Sequence, residues 1–282
     1  MEIKRLREEY HRAICAQLIF RDGQDKPSLS DKSSPTSLAI AQALMKRLPY
    51  PLRQEKVTGQ AAGRLFEQIT KEFIEKAFLL LHHLRPGKWI FAVENHRITN
   101  FDQYEHLADI QRILKENPQL ASALGGDYLV TPDIIIGRHP VSDATINKHD
   151  HLVDADTPLA QLTPLRAANA HPRPVLHASI SCKWTIRSDR AQNTRAEALN
   201  LIRNRKGHTP HIAVVTAEPL PTRLASLALG TGDLDCVYHF ALPELKEAVT
   251  ETGKDDQLEV LEGMVQGKRL RDISDLPFDL AI

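Results

Sequence analysis

No apolar run in this sequence approaches the roughly 20 residues that a membrane-spanning helix requires. The opening Met-Glu-Ile-Lys-Arg has no long apolar core behind it, so no secretory signal is visible. Cysteine is scarce. Cys15, Cys182 and Cys236 are odd in number and widely spaced, which argues against a disulfide framework and fits a reducing cytoplasm. Three such cysteines do not by themselves make a zinc site. Net charge is also missing: 36 basic residues meet 36 acidic ones, so total charge offers no case for a polyanionic partner. There is no GxxxxGK[ST] phosphate loop, no dinucleotide fingerprint and no internal repeat.

Charge is nonetheless unevenly placed. From Lys183 to Lys206 there are seven Lys or Arg and two acids, whereas from Glu244 to the end ten acids meet five bases. The first cluster reads as a basic surface facing phosphates, or as a solvated helix face. With 42% hydrophobic and 26% charged residues, 282 residues suffice for one large domain or two modest ones. The expectation is a single domain over 1–282, with an N-terminal helical and loop region over about 1–55 and an insertion over about 138–174. The insertion is rich in His, Asp, Pro and Asn and too short for a comfortable core of its own.

Apolar periodicity predicts a helix over 1–20, an exposed loop over 21–37, and a second helix from Ser37 to Arg47. Ala62, Leu65, Phe66, Ile69, Phe73, Ala77, Leu80, Leu81 and Leu84 recur at steps of three and four, which predicts a long amphipathic helix from Thr58 to Leu84. Further helices are expected over Gln103–Lys115 and Pro118–Leu124. The second half alternates more cleanly. Strands are expected at Asp133–Ile136, Val175–Ile186, His211–Thr216 and Leu234–Phe240. Helices are expected at Asp189–Asn204, Leu220–Leu229 and Pro243–Thr250. This order predicts an α/β fold with a mixed or largely parallel sheet covered by helices.

The chemistry concentrates at strand ends. Pro132 biases Thr131 toward extended backbone and sets the Asp133 carboxylate at the entrance to a strand. Lys183 ends the next apolar, β-branched strand. A partly buried ammonium there must lose its charge or face an anion, unless it snorkels to water. Period-two geometry sets Ser181 on the face of Lys183. Cys182 points the other way, as a packed thiol whose backbone carbonyl can still reach a metal. Glu197 follows Lys183 by fourteen residues. In a helix starting near Asp189 it shares a face with Arg190 and with Asn193 or Thr194. Glu67 is either an outer member of an acidic cluster or a solvated residue beside Phe66. An acid, a lysine and a further acid suit metal-assisted cleavage of a phosphodiester, with hard oxygen ligands for Mg2+. Arg187, Asp189 and Arg190 follow at once. Arginine can pair with guanine O6 and N7, and aspartate can accept from cytosine N4; the alternative is a salt-bridge cluster at a helix entry. Gln60, beside Gly59, can probe a groove edge, and Arg223 has a similar status.

These residues lie in runs that resemble type II restriction endonucleases of the NgoMIV group, within the PD-(D/E)xK nuclease superfamily. The runs are Gly59-Gln-Ala-Ala-Gly-Arg-Leu-Phe-Glu67, Asp127-Tyr-Leu-Val-Thr-Pro-Asp133, Leu176 to Arg190, Arg203-Asn-Arg-Lys-Gly207, Val214 to Pro219, Ala228 to Gly232 and Gly267 to Pro277. They cover most of the chain from about residue 55 onward. The superfamily pattern has an acid two residues before its lysine, and Ser181 stands at that position here. The resemblance implies that Glu197 supplies the missing acid. It implies a restriction-endonuclease-like core and a catalytic set of Glu67, Asp133, Lys183 and Glu197. It also implies two Mg2+ held by Asp133, Glu197 and the Cys182 carbonyl. Arg187, Asp189 and Arg190 become major-groove readers of a CCGG core, Gln60 a minor-groove reader, and Arg223 a contributor at the outer pairs. The implied activity is double-strand cleavage of DNA within a restriction-modification system. The implied site is the palindrome GCCGGC, cut after the first G to leave 5′-phosphates. The implied assembly is a homotetramer, a dimer of dimers engaging two DNA copies. Two other readings are a structure-specific repair nuclease and a catalytically silent DNA-binding protein. The set Asp133, Lys183 and Glu197 disfavours silence, and the Arg187–Arg190 segment disfavours recognition by structure alone.

Overall fold

The computed structural model describes residues 1–93, 97–124, 130–169, 171–186, 188–230 and 232–282, without the side chains of residues 121, 123, 124, 188, 189 and 190. In chain order the elements are α1 (Glu2–Gln17), α2 (Pro35–Lys46), α3 (Gly59–Leu79), β1 (Trp89–Val93), α4 (His106–Glu116), α5 (Pro118–Leu124), β2 (Ile134–Arg138), α6 (Asp143–Ile146), β3 (Val175–Lys183), α7 (Ser188–Asn204), β4 (His211–Thr216), α8 (Pro221–Ala228), β5 (Cys236–His239), α9 (Leu242–Glu251), α10 (Asp255–Gln266), β6 (Leu270–Asp272) and α11 (Leu276–Asp279). The strands form one six-stranded sheet in sequential order. β1, β2 and β3 pair antiparallel, and β3 to β6 run parallel. The sheet is therefore mixed, and helices flank it, as an α/β fold requires.

Local chemistry accounts for these elements. Ser34 and Thr58 cap α2 and α3, accepting from the main-chain N–H of Ser37 and Ala61. α3 buries Ala62, Phe66, Ile69, Thr70, Phe73, Ile74, Ala77 and Phe78 along one face. It ends at Leu79, short of the predicted Leu84. Leu80 and Leu84 are about half exposed, so no buried stripe holds the helix further. The chain tightens into turns, Leu81 N bonding Phe78 O and Leu84 N bonding Leu81 O, and then bends through Pro86-Gly87 into β1. The helix predicted over Gln103–Lys115 begins as an α-helix only at His106, after a 3-10 turn. Gln103 is the cause. Its buried amide donates to Leu176 O at 2.8 Å and accepts from Leu176 N at 2.9 Å, which takes it out of a helix face and splices it onto β3.

β2, β4 and β5 are buried almost throughout, as strands covered on both faces are. α1 and α2 place Leu6, Ile14, Ile40 and Leu44 in the same apolar cluster as the strands. Over 138–174 the organiser is polar. Arg166, 1% exposed, grips Asp143 through Nε (2.8 Å) and Nη2 (2.6 Å) and donates to the carbonyls of Asp154, Leu159 and Ala160. No helix among the described residues is long and apolar enough to cross a membrane.

Candidate active site

Antiparallel pairing sets the first half of the site. Ile134 lies opposite Ile180, so the residue before β2 meets the end of β3. The Asp133 Oδ2 atom accepts from Cys182 N at 2.7 Å and from Lys183 Nζ at 2.9 Å. One carboxylate oxygen thus fastens two strands and sets the ammonium beside them. β3 stops at Lys183, not at the expected Ile186, because its ladder with β4 ends at the pair Lys183–Thr216. The chain bends at Trp184-Thr185 and enters α7, which carries Glu197 back over the strand end.

A 570 Å³ cleft opens there, and its walls include Gln60, Arg64, Glu67, Asp133, Cys182, Lys183, Asn193, Thr194 and Glu197. All four residues of the expected catalytic set line it, drawn from α3, the start of β2, the end of β3 and α7. Phe66 anchors the α3 wall. It is wholly buried and meets the Trp184 ring edge-on at 5.3 Å, which turns its neighbour Glu67 toward the cleft. Gln60 lies at the exposed start of α3. Arg64 lines the same wall and went unforeseen. It stands four residues after Gln60 and three before Glu67, so helical spacing alone sets it on the same face. A larger cavity of 740 Å³ lies near the other end of β3 and β4, where His177 and His211 sit among arginines. It has neither the lysine nor the paired acids.

The electrostatics of the cleft are those of a lysine held between acids. Burial pushes the Lys183 ammonium down, but the charge and hydrogen bond of Asp133 and the charge of Glu197 outweigh it and raise the group. The lysine keeps its proton at neutral pH and acts as a fixed cation. Burial pushes the Glu197 carboxyl up, Lys183 pulls it down, and Asp133 adds a further push upward. Burial, with the charges of Asp133 and Glu67, keeps the Cys182 thiol well above its ordinary range. The thiol is neutral and packed, so only its main-chain oxygen is available as a hard ligand.

No group of three or more His, Cys, Asp or Glu among the described residues is arranged to hold a metal by side chains alone. The donors at hand are two carboxylates and a backbone carbonyl. That set fits Mg2+, which keeps several waters and shares its remaining positions with phosphate oxygens. A cation would also relieve the crowding of Asp133 on Glu197.

Arg187 lies outside the described residues. Asp189 and Arg190 stand in the first turn of α7, their side chains likewise outside the description. Arg223 is engaged. Its guanidinium pairs with Asp31 and lies 4.0 Å from Glu218, beside a 490 Å³ cleft shared with Ser28, Ser30, Lys32 and Thr185. Ser28 and Thr185 also line the 570 Å³ cleft, so Arg223 sits next to it.

The family described as NgoMIV restriction enzyme matches residues 10–282. The type II restriction enzyme NgoMIV of Neisseria gonorrhoeae is 47% identical over 281 residues, covering 98% of this chain and 97% of that protein. A restriction endonuclease PspGI–substrate DNA complex aligns over 94% of this chain and 97% of its own, at 16% identity and a TM-score of 0.26.

Proposed function

Because the chain belongs to the NgoMIV restriction enzyme family, we propose that the cleft hydrolyses both strands of a palindromic G/C-rich duplex, at GCCGGC after the first G, leaving 5′-phosphates. The protein is a type II restriction enzyme, a site-specific deoxyribonuclease. The observation that carries the placement of its chemistry is the shared oxygen of Asp133, which bonds Cys182 N and Lys183 Nζ in a cleft that Glu197 also lines.

Asp133, Glu197 and the Cys182 carbonyl would hold two Mg2+, which would supply neutralisation of charge at the phosphate and favour ionisation of the attacking water. Lys183 keeps its proton and donates from Nζ toward a non-bridging phosphate oxygen, the position where negative charge grows during in-line attack. Glu67 completes the acidic wall of the cleft from α3. The water gives up a proton to solvent as its oxygen bonds to phosphorus, the bond to the 3′ oxygen breaks, and that oxygen leaves with the electron pair and takes a proton from solvent. Arg187, Asp189 and Arg190 read the central CCGG in the major groove, Gln60 meets the minor groove, and Arg223 serves the outer pairs.

A palindrome asks for a twofold pair of chains, and the assembly proposed is a tetramer of two such pairs on two DNA copies. Leu152, Leu159 and Leu162 are 68%, 72% and 90% exposed on the 138–174 insertion, which supports a self-association surface there. The insertion and the N-terminal helices belong, on this reading, to one nuclease domain working in a bacterial cytoplasm. Digestion of a defined plasmid with Mg2+, followed by sequencing of the ends, tests the site, the cut position and the phosphate polarity together. Ends at any other sequence, or ends bearing 3′-phosphates, would overturn the proposal.

A further inference from the structure

Glu218 follows β4 by two residues and takes no part in the chemistry above. It is 1% exposed, and burial pushes its carboxyl up to about 7. A buried acid carries a desolvation cost that a glutamine of the same shape avoids, so its contacts matter. Oε2 accepts from Ile186 N at 2.9 Å, and Oε1 accepts from Leu220 N at 3.2 Å. Ile186 lies three residues beyond Lys183 and immediately before Arg187. Leu220 is the N-cap of α8, whose Arg223 lies 4.0 Å from Oε2 and pairs with Asp31 of the N-terminal loop. Buried His239 of β5 adjoins the Glu218 main chain. One carboxylate therefore joins the exit of β3, the start of α8 and, through Arg223, the N-terminal loop.

We propose that Glu218 is a positioning residue for specificity: its carboxylate clamps Ile186 at the exit of β3, the last described residue before the proposed base readers Arg187, Asp189 and Arg190. The inference rests on the reading of those residues given above. Glutamine cannot replace the clamp. It offers one acceptor oxygen, and its NH2 group would face the second main-chain N–H, donor against donor. Discrimination between sites would then fall, because the backbone leading to the readers would lose its tie at Ile186, while the Asp133–Lys183 pair, which Glu218 does not touch, would stay in place.

The test compares wild type with Glu218→Gln in two measurements. Cleavage of a cognate duplex and of duplexes carrying one altered base pair is followed between pH 6 and 8.5, and the ratio of kcat/KM values is taken so that pH effects common to both substrates cancel. The variant is expected to lose roughly 10- to 100-fold in that ratio, the worth of about one bidentate base contact. The wild-type ratio rises with pH through the range where Glu218 ionises, whereas the variant's stays flat. Amide hydrogen exchange over 184–190, measured without DNA, is expected to be at least ~10-fold faster at Ile186 in the variant. Wild-type exchange should quicken, relative to an amide distant from the clamp, as pH falls through the same range, and this series stands alone should the variant not fold. An unchanged ratio with unchanged exchange overturns the proposal. A wild-type chain that cuts no duplex sinks the restriction reading instead, and the exchange measurement still decides the clamp.

Discussion

Replacing Asp133 with asparagine separates shape from charge at the centre of the cleft. Asparagine can still present one oxygen to Cys182 N and Lys183 Nζ, which now lie 2.7 and 2.9 Å from Oδ2. What disappears is the negative charge. At 2.9 Å and an effective dielectric of about 20, the attraction to the ammonium is on the order of 6 kcal/mol before desolvation is counted. The side chains are 20% and 24% exposed, Glu197 still faces the lysine, and the relieved desolvation of Asp133 offsets much of the loss. The net cost is then about 1–3 kcal/mol, a fall in Tm of roughly 2–5 °C for a chain of this size. Cleavage should suffer far more. Losing one carboxylate of the proposed metal site should lower kcat on a supercoiled plasmid by ~1000-fold or more. Binding should move the other way. Without divalent cations, the scissile phosphate meets Asp133, Glu67 and Glu197 around one lysine, and removing one negative charge lessens that repulsion. Asp133→Asn should therefore bind cognate duplex in EDTA, at fixed salt, at least as tightly as wild type. Undiminished cleavage would refute the assignment of Asp133. Weaker metal-free binding by a folded variant would refute the electrostatic argument.

Three further outcomes follow from the packing. Arg7 binds Asp272 and Glu244 together, with side chains 18%, 10% and 19% exposed; Arg7→Met should cost about 2–4 kcal/mol by stranding two acids, read by urea denaturation at pH 7. Burial raises both acids, but the hydrogen bonds and charge of Arg7 outweigh it and hold them below the ordinary carboxylate range. The stability they supply is full above that range and is lost as pH falls through the lowered values, so the gap between wild type and variant should narrow by pH 3. Phe66→Ala should cost about 3–5 kcal/mol in the same assay by emptying a wholly buried site against Trp184. Gly137→Ala should cost roughly 1–3 kcal/mol, since its new Cβ would stand 2.6 Å from the Phe101 ring; a thermal melt that matches wild type would contradict that contact.

Much of the fold was legible in the residues because burial writes itself as period. His211–Thr216 is a strand at its expected bounds, and Thr58 caps α3 where the amphipathic stripe begins. β1 went unforeseen although Trp-Ile-Phe-Ala-Val follows a Pro-Gly turn, and β6 spans only three residues, too short for a period to show. The expected helix at Gln103 failed because a single amide bonded a strand distant in sequence.

Asp133 and Lys183 could be singled out from sequence because one opens an apolar run and the other closes one, and a charge at such a boundary is conspicuous locally. Their family followed from long matching runs. Whether Glu67 and Glu197 reach the same cleft was a different kind of question. On paper each is an acid on a helix, equally suited to water. Strand order, the antiparallel register of β2 with β3, and the return of α7 over the sheet bring them together. Glu218 left no local trace at all, since its partners are main-chain N–H groups 32 and two residues away. Chain periodicity records which side of an element is buried, and only the packing of elements determines which buried sides meet.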